Sequence, residues 1–145
     1  IGPTSPATFG DPIGGSTRVS LCLYDDAKAL VQGYQVDRAG DTCSGKPCWA
    51  PKGSTGLAYK DKLAASDGIT AVTFKGGASG KGQASAAGAN NVGKGQLALP
   101  TGVITSLTGN TSPTIQLQTS DGFCIGATMT ETKKDEGGIY KARKK

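Results

Sequence analysis

Histidine is absent from the 145 residues, and methionine and tryptophan occur once each. Without an imidazole the chain lacks the usual general base near neutral pH and the commonest metal ligand, which turns the reading away from an enzyme. No Gly-x-Ser-x-Gly elbow and no phosphate-cradling glycine loop is present. Nor is there an apolar run long enough to cross a bilayer, or a leader with a basic and an apolar region, so the chain reads as a mature product whose signal peptide has been removed. The expectation is a non-enzymatic protein with no cofactor, no metal and no membrane span.

What is present is glycine, 23 residues of it, together with abundant Thr and Ser and no long amphipathic stripe. That composition is all-β. A chain of this length buries about two-thirds of its unfolded surface, so one core is expected. Four cysteines punctuate it. Cys43 and Cys48 enclose Ser-Gly-Lys-Pro and are followed directly by Trp49, which describes a small loop closed by a disulfide and anchored by one large aromatic. Cys22 and Cys124 lie far apart in alternating runs, so the four do not form the two close pairs that a structural zinc site needs. Disulfides place the protein in an oxidising compartment, secreted and at the cell surface.

Taken in order, residues 1–15 contain Pro3, Pro6, Pro12 and a Gly14-Gly15 break, which exclude a helix or a central strand. Their apolar residues Ile1, Pro3, Ala7, Phe9 and Ile13 all fall on odd positions, so an extended arm would present one apolar face. Residues 16–145 form the domain proper. Strands are expected at 18–24, 29–37, 56–60, 69–75, 97–100, 103–108, 114–119, 123–130 and 139–143, separated by turn signals. Residues 61–68 tolerate a helix but close in an Asp67-Gly68 turn. The Gly/Ala/Ser-rich stretch 76–95 reads as a strand pair with small side chains, or as disorder. About nine short strands with these spacings make a disulfide-stapled β-sandwich or a partly closed barrel, with an extended N-terminal arm.

Parity constrains the second cysteine pair. In 18–24 and 123–130 the apolar residues are odd-numbered while Cys22 and Cys124 are even, so both sulfurs leave on the face opposite the core. A cross-strand bridge Cys22–Cys124, beside Cys43–Cys48, is the expected pairing.

The net charge is +5. Its basic residues are scattered and lack interleaved aromatics, which argues against nucleic acid. Lys141, Arg143, Lys144 and Lys145 form a terminal cluster, either a solvated end or a contact for an acidic surface polysaccharide. Asp61 and Asp67 resemble an acid/base pair but read as turn and cap residues beside Lys60 and Lys62. Asp25-Asp26 lacks the spaced ligands of a calcium loop. Trp49 beside Tyr59 is either a sugar-stacking platform or, as a lone Trp after a disulfide loop, packing over the bridge and core. Asn110-Thr-Ser112 fits a glycosylation acceptor.

The strings Leu21-Cys22-Leu23-Tyr24-Asp25, Cys43 to Trp49, Tyr59-Lys60-Asp61-Lys62, Asp67-Gly68-Ile69 and Cys124-Ile125-Gly126-Ala127-Thr128 together resemble uncharacterised secreted bacterial β-domain proteins. The resemblance spans 21–128 and implies an extracellular β domain and no particular reaction. The arm 1–15 lies outside it. An alternating apolar arm suggests a donor strand completing the sheet of another copy, and hence a structural subunit of an extracellular filament, pilus-like fibre or surface layer. The competing arrangement folds the arm back on its own domain. The alternative function is a secreted carbohydrate-binding or adhesion module.

Overall fold

A computed structural model describes residues 2–88, 102–136 and 139–143. Along the chain come a 3-10 turn at Pro6–Phe9, then β1 (Val19–Tyr24) and β2 (Leu30–Val36). A short hairpin follows, β3 (Thr42–Cys43) and β4 (Lys46–Pro47), then β5 (Trp49–Lys52), β6 (Gly56–Lys60), β7 (Ile69–Lys75) and β8 (Gln83–Gly88). Beyond these lie α1 (Val103–Leu107), β9 (Thr114–Thr119), β10 (Cys124–Thr128), β11 (Glu131–Glu136) and β12 (Ile139–Arg143).

Alternation builds the two main sheets, both antiparallel. The first has the order β10-β9-β1-β2 and the second β5-β6-β7-β8. In the first, Leu21 lies opposite Tyr34 on one side and Leu117 on the other, and Leu117 in turn lies opposite Ile125. In the second, Trp49, Tyr59, Val72 and Ala86 form one cross-strand row and Pro51, Leu57, Phe74 and Ala84 the next. The inward rows of both sheets belong to one buried cluster, with Val19, Tyr34, Val36 and Leu117 from the first and Trp49, Leu57, Tyr59, Val72 and Phe74 from the second. Each such side chain contributes about 1.5–3 kcal/mol by leaving water. Two sheets across one core are the sandwich of the two architectures expected; the described residues close no barrel.

The arm departs from a single extended face. Thr4 pairs with Gly77 through reciprocal backbone bonds of 2.9 and 3.0 Å, after which the chain turns instead of continuing as a strand. Pro6 presets the first position of the 3-10 turn, and the Thr8 hydroxyl accepts the Ser5 amide hydrogen at 3.0 Å, which suits a helix start. The turn rotates the side chains out of period two. Of the expected face only Phe9 is buried, at 1% exposure, while Pro3, Ala7 and Ile13 are exposed and Thr4 and Pro12 are buried in their place. Ile1 lies outside the described residues. Phe9 stacks on Phe74 at 5.1 Å and meets Phe123 edge-on at 5.0 Å, so the arm closes over its own domain. Gly10, at φ +84, lets the chain leave this seat where a Cβ would collide with Asp121 and Thr17.

Three further differences concern elements. Residues 103–108, expected as a strand from Val103, Ile104 and Thr105, begin the one-turn helix α1, entered through Gly102 at φ +91. β11 carries Glu-Thr-Lys-Lys-Asp-Glu, which has no apolar alternation, and is held by pairing with β12. The cysteine loop itself contributes β3 and β4, and the stretch 51–54, expected as loop, begins within β5. The expected strand 97–100 lies outside the described residues, as do residues 89–95 of the stretch 76–95.

Candidate binding groove

The loop Cys43–Cys48 is a two-residue hairpin. Cys43 pairs with Lys46, and the residues between, Ser44 and Gly45, both have positive φ (54° and 77°), as a type I′ turn requires. Gly45 supplies one of these without strain. The disulfide Cys43–Cys48 closes the hairpin's base, with both sulfur-bearing residues buried at 8% and 1% exposure. The hairpin thereby stands as a wall beside the outer face of the second sheet.

Between that wall and the sheet lies a groove of about 650 Å³ whose lining includes Lys46, Pro47, Ala50, Ala58, Lys60 and Thr73. A second groove of about 670 Å³ continues from it over Lys52 and Thr73 to Lys75 and Ser85. The floor is flat because the outward row of the sheet is Ala50, Ala58, Thr73 and Ser85. Lysines stand at its ends. Lys46, Lys52, Lys60 and Lys75 are exposed and enter no ion pair among the described residues; the Lys52 ammonium donates to the Thr73 hydroxyl at 3.4 Å.

The two aspartates in this half of the chain do not neutralise them. Asp61 is 3% exposed and accepts hydrogen bonds from the amides of Leu63 (2.9 Å) and Ala65 (2.8 Å) and from the Tyr59 hydroxyl (3.3 Å). Asp67 accepts the Gln35 amide hydrogen at 2.8 Å, tying this loop to β2. Asp61 therefore acts as a turn and cap residue, as the sequence suggested, whereas the Asp67 side chain links its turn to a distant strand. Burial, reinforced by the Asp61 carboxylate, pushes the Tyr59 phenol up to about 12.

No family model, curated protein or solved structure matches the chain. Function is therefore read from the side chains alone.

The expected Cys22–Cys124 bridge is not formed; both thiols are free. Cys22 lies opposite Gln116 and Cys124 opposite Gln118, so β9 runs between the strands that carry them. Two interstrand spacings of about 4.8 Å put the Cα atoms beyond the reach of a disulfide, which ends near 7 Å. Parity placed both sulfurs on the correct outer face but did not make them neighbours. Tyr24 shares that face, and its phenol is held above its ordinary value first by desolvation and then by the nearby Cys22 sulfur.

Trp49 and Tyr59 do not form an exposed platform. At 2% and 0% exposure they pack together at 5.3 Å beneath the disulfide loop, and the Trp49 indole nitrogen is buried without a hydrogen-bond partner. In the terminal cluster, Lys141 and Arg143 lie in β12, where the backbone register sets Arg143 opposite Glu131; Lys144 and Lys145 fall outside the described residues. Asp26 accepts hydrogen bonds from the amides of Thr111 (2.9 Å) and Ser112 (2.7 Å) and from both hydroxyls, and these donors hold its carboxyl below the ordinary value. It clasps a loop instead of presenting free oxygens to a cation. Asn110 belongs to the same clasp, accepting the Asp26 amide hydrogen at 2.7 Å and donating to the Ser106 carbonyl at 3.1 Å. Lys46, Lys52, Lys60 and Lys75 were legible as residues, but their common groove emerged only with the sheet register.

Proposed function

We propose that the protein is a secreted, non-catalytic binding and adhesion module that holds an anionic partner against the outer face of its second sheet. The observation that carries this is the set Lys46, Lys52, Lys60 and Lys75, without ion pairs among the described residues, around a groove with a flat, small-residue floor. Clefts lined by one sign of charge focus the field and concentrate counter-charged partners. A non-catalytic role is supported by the employment of Asp26, Asp61 and Asp67 in holding loops. Retention of the full chain on an immobilised acidic polysaccharide, against a neutral glucan, is the test. Expected are salt-eluted binding to the acidic matrix alone and its loss in Lys60→Glu; failure to bind the acidic matrix at low salt would reject the reading.

The self-assembling subunit is a second reading, and it takes the form of arm exchange. Thr4 and Phe9 occupy a seat that the arm of another copy would fill with the same contacts. Sedimentation velocity at rising concentration tests it: assembly abolished in Phe9→Asp supports exchange, and a monomer throughout for the native chain discards it.

A further inference from the structure

We infer that the groove's ligand is a linear polysaccharide whose acidic groups are separated by neutral sugars, lying along the strands from Lys60 to the Lys52 and Lys75 end. This deepens the proposed function and rests on it.

The register fixes the spacing. Lys52 and Lys75 both flank Gly56, one on each neighbouring strand, whereas Lys60 lies four residues farther along the same strand β6. At about 3.3 Å per residue the Cα positions of the two ends are ~13 Å apart. Lys46, on the disulfide hairpin, and Lys62 reinforce the Lys60 end. Between the ends the floor's own residues, Ala58 and Thr73, carry no charge, and the Lys52 ammonium leans in from its end to the Thr73 hydroxyl at 3.4 Å. A ligand with a charge at every step would leave its middle groups over this neutral stretch, losing water without gaining a partner. A single nucleic acid strand, with a phosphate on every nucleotide, is such a ligand. It would also want aromatic faces for its bases, and Trp49 and Tyr59 are buried. A chain with spaced acidic groups places a carboxylate or sulfate at each end and neutral sugar hydroxyls over the middle.

Calorimetry on the full chain, with three probes of matched total charge, tests this. The probes are an oligosaccharide in which glucuronate alternates with a neutral N-acetylated sugar, an oligogalacturonate charged on every sugar, and a single-stranded oligodeoxynucleotide. The alternating oligosaccharide is expected to bind about tenfold more tightly than either of the others. Lys52→Gln with Lys75→Gln, and separately Lys46→Gln with Lys60→Gln, should each weaken it about tenfold, as loss of two exposed charge contacts implies. Lys133→Gln with Lys134→Gln changes net charge equally, lies on β11, and should leave affinity unchanged. Lys46, Lys52, Lys60 and Lys75 are all exposed, so unchanged melting of these variants verifies the fold. Equal or tighter binding of the densely charged probes, or equal weakening by all three double variants, overturns the spacing inference while leaving an anionic partner in place. Absence of binding to every probe at low salt overturns both.

Discussion

The two sheets share one core yet turn opposite chemistries to solvent. The outward residues of the first are Ser20, Cys22 and Tyr24 on β1 with Gln116 and Gln118 on β9, a neutral face. Those of the second are Ala and Thr bordered by Lys52, Lys60 and Lys75. The surrounding chain repeats the contrast: 42–88 holds six lysines and two aspartates, whereas 16–41 holds three basic residues and four aspartates. Inside, the first sheet contributes mostly aliphatic side chains and the second the rings of Trp49, Tyr59 and Phe74. One sheet thus carries both the aromatic half of the core and the charged surface, so a defect beneath it should disturb binding as well as stability.

Phe9 is the strongest test of that coupling, because its ring stacks on Phe74 of the second sheet and meets Phe123 beside the first. Phe9→Ala should cost about 3–5 kcal/mol, the range for emptying a buried phenylalanine site, measured by urea unfolding. Ile13, from the same arm but exposed, should cost under about 0.5 kcal/mol when changed to Ala. Equal small effects would mean that the arm is not part of the core.

Replacing Cys43 and Cys48 together by Ser comes next. Freeing a loop of this length should cost about 2 kcal/mol on the chain-entropy account and loosen the groove wall, weakening the acidic ligand too. The neutral sheet supplies the contrast. Cys22 and Cys124 should both react with a thiol reagent in the native protein, the exposed Cys124 faster than the half-buried Cys22. A count of zero free thiols would restore the expected staple and require β1 and β10 to be adjacent.

The unequal legibility of the fold follows from the same physics. β6, β7 and β9 fall where alternation put them, because each carries apolar residues on one face and turn residues at its ends. β11 was invisible, since Glu131 to Glu136 has no apolar face and is a strand only by virtue of its partner. Val103 and Ile104 favour a strand by their branching, yet one helical turn follows Gly102, where local context outweighs a weak propensity. Parity assigned Cys22 and Cys124 to a face correctly; adjacency depends on strand order, which periodicity does not encode. Phe9 was singled out for its size, but the 3-10 turn that aims it inward arises from Ser5, Pro6 and Thr8 acting together.

At alkaline pH the second sheet should fail first. Burial and the Asp61 carboxylate push the Tyr59 phenol up to about 12 from its ordinary 10.0, so the unfolded chain releases this proton more readily. Its stabilisation is complete below pH 10 and is lost as pH rises from 10 to 12. The melting temperature should fall across that window, and Tyr59→Phe should flatten the fall while losing about 1 kcal/mol at neutral pH with the hydroxyl bond to Asp61. An unchanged alkaline profile in Tyr59→Phe would move the effect to another tyrosine.

The smallest effect belongs to the end of the first sheet and is local. Asp26 is held below its ordinary 3.8 by the donors of Thr111 and Ser112, so its contribution is present above that pH and fades as pH falls through the lower folded value. The clasp joins the β1–β2 turn to the segment leading into β9, well outside the aromatic core. Acidification should therefore lower hydrogen-exchange protection at the Thr111 and Ser112 amides while leaving the amides of β6 protected. Asp26→Asn, which keeps the shape and removes the charge, should show the same opening already at neutral pH, with little change in global melting. If β6 lost protection together with Thr111, the two sheets would have to be one cooperative unit out to their ends, and the separation between a clasped neutral sheet and an aromatic cationic one would not extend to local stability.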